Sequence, residues 1–181
     1  MERGTKFKHW IVCALHSDMK GFELEKLSRP AKVGKVATPA DLNDMTLGQM
    51  VEMSMCKNGV QMFYKVCKVM LGLEPKQVDN CKAVEVVRFT GWMIGQIETI
   101  NKLFDKAKSK PTDEEVKAGI SRLKFGIFGV IDWYACRMGI TDHEEVTKVP
   151  WLRVYKCMDM DNQVKEFNKR LSKVYADEYR K

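Results

Sequence analysis

The chain has 181 residues, 45% of them hydrophobic and 30% charged, with 31 Lys and Arg against 24 Asp and Glu for a net charge of +7. That length suits one domain able to remove roughly 70% of its unfolded surface from water, and the composition excludes a disordered chain. No apolar run approaches the roughly 18 residues of a membrane-spanning helix, so no membrane role is expected.

The opening MERGTKFKHW does not read as a secretory signal, because the apolar run WIVCAL ends after six residues in HSDMKG. An intracellular protein is expected. Six cysteines, at 13, 56, 67, 81, 136 and 157, fit that compartment. They form no CxxC and no close Cys/His pairing, so they read as small hydrophobes rather than as a zinc site or a disulfide framework. Neither metal nor cofactor is expected.

Residues 1–37 stand apart as a basic N-terminal arm. Arg3, Lys6, Lys8, Lys20, Lys26, Arg29, Lys32 and Lys35 face only Glu2, Asp18, Glu23 and Glu25, a balance of 8 − 4 = +4. KFKHWIVCAL and FELEKL read as short strands of a hairpin, and SRPAKVGKVATP as an extended connector interrupted by Pro30 and Gly34.

From residue 38 to 181 the signals are helical. Thr38-Pro39-Ala40-Asp41 offers an N-cap with proline at the first position, and Thr46-Leu47-Gly48-Gln49 offers a capping box. The stretch 39–57 is therefore either one helix or a turn feeding a second. A helix over 60–71 ends at Gly72. A long helix is expected over 76–108, with Val84, Val87, Gly91, Ile94, Ile97 and Phe104 in helical step.

Thr112-Asp113-Glu114-Glu115 is a second capping box, predicted to open a helix that runs to about 138. Within it, FGIFGVIDWYAC at 125–136 is apolar all round except for Asp132, the pattern of a buried helix. It is expected at the centre of the fold, with Gly91, Gly95, Gly126 and Gly129 permitting close approach to GWMIG. A third box, Thr141-Asp142-His143-Glu144, starts a short helix stopped by Val149-Pro150. Pro150 then begins a final helix whose Trp151, Val154, Tyr155, Met158, Phe167, Leu171, Val174 and Tyr175 read as one stripe. Pro150, Trp151 and Tyr155 form a structural joint. The architecture expected is an all-α single helical bundle of five to six helices, 38–181, carrying the arm 1–37.

Catalytic motifs are lacking. His143-Glu144 is half of HExxH, but Thr147 stands where the second histidine belongs. GxSxG, the phosphate-binding GxxxxGK[ST] and a strand-to-helix GxGxxG are all missing. Asp132 is the best functional acid, against the plainer reading of a buried ion pair with Arg88 or Arg137. Lys102, Lys106, Lys108 and Lys110 crowd a helix C-terminus, where cations offset the dipole, or bind phosphate. In the arm, Phe7 and Trp10 lie among Lys6, Lys8 and His9. That pattern suits a nucleic-acid backbone with base stacking, an acidic neighbouring subunit, or plain solvated surface. Lys6, Lys8, Trp10, Lys32, Lys35, Lys102 and Lys106 are the residues expected at a partner or nucleic-acid contact. The Met-rich helical surface is a further contact candidate.

DMTLGQMVEM, and GITDHEEVTKVPWLRVYKCMDMDNQ leading into a lysine-rich last helix, resemble small helical proteins of tailed bacteriophages. These are head-to-tail connector or adaptor ring proteins and tail-assembly chaperones. The resemblance covers about residues 40–181, in helix order, short capped turns and the V-P-W joint. It implies a non-enzymatic structural or assembly protein, located in the host-cell cytoplasm and the virion. Its partners would be further copies of itself and other virion or assembly proteins, and its basic residues would face DNA. The alternative class is a nucleic-acid-binding helical protein using the arm and the 102–110 lysines.

Overall fold

The computed structural model describes residues 4–15, 27–56, 59–108 and 111–179. Among them the protein is all-α, with nine α-helices and one two-stranded hairpin. The chain divides into two units, Met1–Ile100 and Asn101–Lys181, and the boundary falls inside a helix.

The first unit begins with α1 (Phe7–Leu15), where a strand was expected. The signal for a helix lies in Phe7, Trp10 and Ile11, spaced to share one helical face. Phe7 is fully buried and its ring meets those of Trp10, Phe63 and Tyr64 at 5.8, 5.5 and 5.5 Å. FELEK, the second expected strand, lies outside the described residues. The only hairpin described is β1 (Lys32–Val33) with β2 (Val36–Ala37), in antiparallel register inside the stretch read as a connector. Gly34 makes its turn at φ +59, and a Cβ there would lie 2.8 Å from Cys81 Sγ.

Helix α2 (Leu47–Ser54) starts at Thr46, whose hydroxyl accepts from Gln49 N while Gln49 Oε1 accepts from Thr46 N. The turn-then-helix alternative is thus the one adopted. α3 (Gly59–Leu71) ends at Gly72, φ +67. The long helix expected over 76–108 is two helices, α4 (Pro75–Asn80) and α5 (Ala83–Ala107). Cys81 is extended because non-local bonds hold it: Phe7 N donates to Cys81 O at 2.9 Å and Ala83 N to Thr5 O at 2.8 Å. These bonds form an antiparallel bridge between Lys6 and Lys82.

The second unit begins with the last two turns of α5. The helix predicted from 112 to 138 is also broken, into α6 (Asp113–Lys117), a 3-10 turn (Ile120–Arg122) and α7 (Gly126–Met138). The breaks fall at Gly119 and Gly126, both with positive φ, a conformation that a helix interior does not contain. α8 (His143–Thr147) is capped by Asp142, one residue later than expected, and α9 (Trp151–Glu178) follows Pro150, which stands at its N-cap. The core of this unit is Ala107, Ile131, Tyr134, Ala135, Val146, Trp151 and Val154.

α7 is not buried all round. Ile131, Tyr134 and Ala135 make its one buried face, while Ile127 and Phe128, and Phe125 just before it, are exposed. Gly126 has open space where a Cβ would stand, and Gly129 is covered by Phe125 of its own turn. Neither marks a close backbone approach. The stripe expected along α9 also divides in two. Met158 and Phe167 are nine residues apart, about two and a half turns, and so face opposite ways.

Candidate protein-binding surface

The residues expected at a partner contact fall in both units. In the first, Lys6 and Lys8 are exposed at the start of α1, and Lys32 and Lys35 on the hairpin. The Lys6–Lys82 bridge sets the start of α1 beside the residue that precedes α5, adding Lys82 to the basic group. Gly34 N donates to Glu85 Oε2 at 2.9 Å, which ties the hairpin turn to the same end of α5. Glu85 also pairs with Lys82 at 3.9 Å, so an acid sits among the lysines. Trp10 is half-buried, its ring packing against Phe7 and Phe63.

In the second unit Lys102 and Lys106 are exposed near the end of α5, and Lys108 pairs with Asp105 at 2.7 Å. Pro150 separates α8 from α9. Trp151 is only 4% exposed and, with Tyr155, rests on Phe104 at centroid distances of 6.1 and 5.9 Å. Asp132 is not a buried acid. Its side chain is 56% exposed, and its partner is neither Arg88 nor Arg137 but His143, at 3.3 Å. Arg88 bonds to Ser28, and Arg137 grips Asp161 through Nε and Nη2 at 3.0–3.1 Å, which raises the Arg137 pKa. Among the described residues no group of three His, Cys, Asp or Glu is placed to hold a metal ion.

What sequence reading missed is an apolar surface. A groove of about 670 Å³ runs between the end of α5, the start of α7 and the middle of α9, lined by Leu123, Phe125, Val130, Trp133 and Met158. Asn162 also lines it, and its Oδ1 is buried without a hydrogen-bond partner among the described residues. A buried acceptor left so is costly, and an incoming N–H would relieve it. Further along α9, Met160, Val164, Phe167 and Val174 are each more than half exposed. With Cys157 and Leu171 they follow steps of three, four, three, four and three residues. Single exposed apolar side chains are ordinary on protein surfaces, but a continuous row marks a contact. The signal was present in the sequence; joining Trp151–Met158 to Phe167–Tyr175 as one stripe concealed it.

Compared with known proteins, the chain matches no family model, no curated protein and no solved structure. No helix among the described residues is long and apolar enough to cross a membrane.

Proposed function

We propose that this protein is a non-enzymatic structural or assembly component that works by binding other polypeptide chains. The observation that carries the reading is the uncovered apolar surface of the second unit, groove and α9 row together. Water against that much apolar area is unfavourable by about 25 cal/mol per Å², so covering it with another chain drives association. Exposed methionines at 138 and 160 add adaptable contact area to the same unit. The resemblance of DMTLGQMVEM and the V-P-W joint to tailed-bacteriophage proteins supports a place among virion connector or adaptor rings or tail-assembly chaperones. The host cytoplasm and the virion are the corresponding locations.

The competing class, a nucleic-acid binder, draws on the convergence of Lys6 and Lys82. Two measurements on nuclease-treated full-length protein separate the classes. Native mass across a concentration series is expected to give discrete protein assemblies. Titration with single- and double-stranded oligonucleotides at about 50 and about 200 mM salt is expected to show no steeply salt-dependent binding. A chain that stays monomeric and binds oligonucleotides with a steep salt slope contradicts the reading.

A further inference from the structure

The part of α9 beyond Met158 has two unlike faces. Trp151, Val154, Tyr155 and Met158 belong to the side that packs into its own unit. At 100° per residue, Met160, Val164, Phe167, Leu171 and Val174 cluster about 170° away from that side, pointing outward. Their spacing, extended back to Cys157, is that of a heptad seam: Cys157, Val164 and Leu171 at one core position, Met160, Phe167 and Val174 at the other. A helix face that packs on a globular core is normally broader than this. Here most flanking residues are polar: Lys156, Gln163, Arg170 and Asp177 along one edge, Asp161 and Asn168 along the other. A narrow apolar strip between polar borders is built to meet another helix.

Resting on the assembly reading above, we infer that the occupant of this seam is a second copy of α9, running antiparallel. Self-pairing in that sense closes on itself. Setting Val164 opposite Phe167 of the second copy places Met160 opposite Leu171 and Cys157 opposite Val174. All six seam residues then pair, about the two-fold axis expected of a symmetric dimer. The large Phe167 meets the smaller Val164, whereas a parallel pair would set Phe167 against Phe167. The charges agree as well. In the antiparallel register the edge positions bring exposed Lys156 alongside Asp177 of the second copy, twice by symmetry, and no like charges meet. A parallel pair would direct Lys156 to Asp161, which Arg137 already holds with both Nε and Nη2. Antiparallel helices also place opposite dipole ends side by side.

The test uses the full chain and, apart from half-buried Cys157 replaced by the similarly sized Ser, exposed positions, so that folding is left intact. Mild oxidation of Val174→Cys is expected to give a covalent dimer, joining Cys157 of one copy to the introduced thiol at position 174 of the other. The control carrying Val174→Cys with Cys157→Ser is expected to lose that link. Val164→Glu is expected to abolish the dimer in native mass while leaving the circular dichroism unchanged. Lys156→Asp is expected to weaken self-association several-fold, and adding Asp177→Lys to restore it. A link that survives in the Cys157→Ser control and maps by mass to 174–174, rather than to exposed Cys13 or Cys136, means a parallel pair and overturns the inference. Assembly that persists in Val164→Glu, with no 157–174 link, also overturns it while leaving the assembly reading in place. A monomeric parent chain overturns it too, and the oligonucleotide titration then decides the broader reading separately.

Discussion

Tyr64 donates a 2.8 Å hydrogen bond to Asp79, and burial together with that carboxylate pushes its phenol from 10 up to about 12. A folded-state pKa above the unfolded one means that the folded state holds its proton longer. The stabilisation is therefore complete below about pH 10 and is lost as pH rises through 10–12. Denaturation midpoints measured across that window should fall for the parent and fall less steeply for Tyr64→Phe. Phe7 tests the start of the chain at the same scale. Its ring is fully buried among Trp10, Phe63 and Tyr64, so Phe7→Ala should cost about 3–5 kcal/mol. A loss below about 1 kcal/mol would mean that α1 does not belong to the folded unit. Trp151→Ala should cost a similar amount in the second unit, because Trp151 is buried against Phe104. At this scale the sequence misled most over Asp132, because apolar neighbours in sequence suggested burial while helix geometry turned the carboxylate outward, to His143.

Elements were legible where their determinants are local. The boxes at Thr46 and Thr112 depend on a residue and its neighbour three positions on, and both form, with Thr46 N donating to Gln49 at 2.9 Å and Thr112 N to Glu115 at 2.8 Å. Thr46→Ala should therefore cost about 1 kcal/mol in chemical denaturation. Breaks made by distant partners were not legible. Nothing local in the stretch 76–108 announces that Cys81 will be held extended by Phe7 and Thr5. The breaks at Gly119 and Gly126 had a visible cue in the glycines, but the continuous apolar pattern outweighed it. The phase of α9 was arithmetically available, since a nine-residue gap reverses the face. Which face is covered could be learned only from burial.

For the whole molecule, the all-α class followed from periodicity, whereas the division inside α5 needed the pattern of packing. The candidate lysines were visible as charge. The α9 seam is apolar, its spacing is in the sequence, and its lack of cover shows only when that spacing is joined to exposure. Cysteine chemistry reports on the same organisation. Burial, with a lesser effect from Cys81, pushes the Cys67 thiol up to about 12, and burial also raises Cys81. With a thiol-reactive probe at mildly alkaline pH, mass mapping should find exposed Cys136 modified in the native protein. Cys67 and Cys81 should react only after unfolding. Early labelling of Cys67 would contradict the packing of α3 against its unit.

If this protein acts by assembly, α9 is where a second copy docks. Native mass of the nuclease-treated chain beside Val164→Glu tests that most directly. The expected result is a species of twice the 20.9 kDa chain, or a discrete higher multiple, that falls to the smaller unit on substitution with helix content unchanged. A parent and variant of identical mass would contradict the docking role of α9.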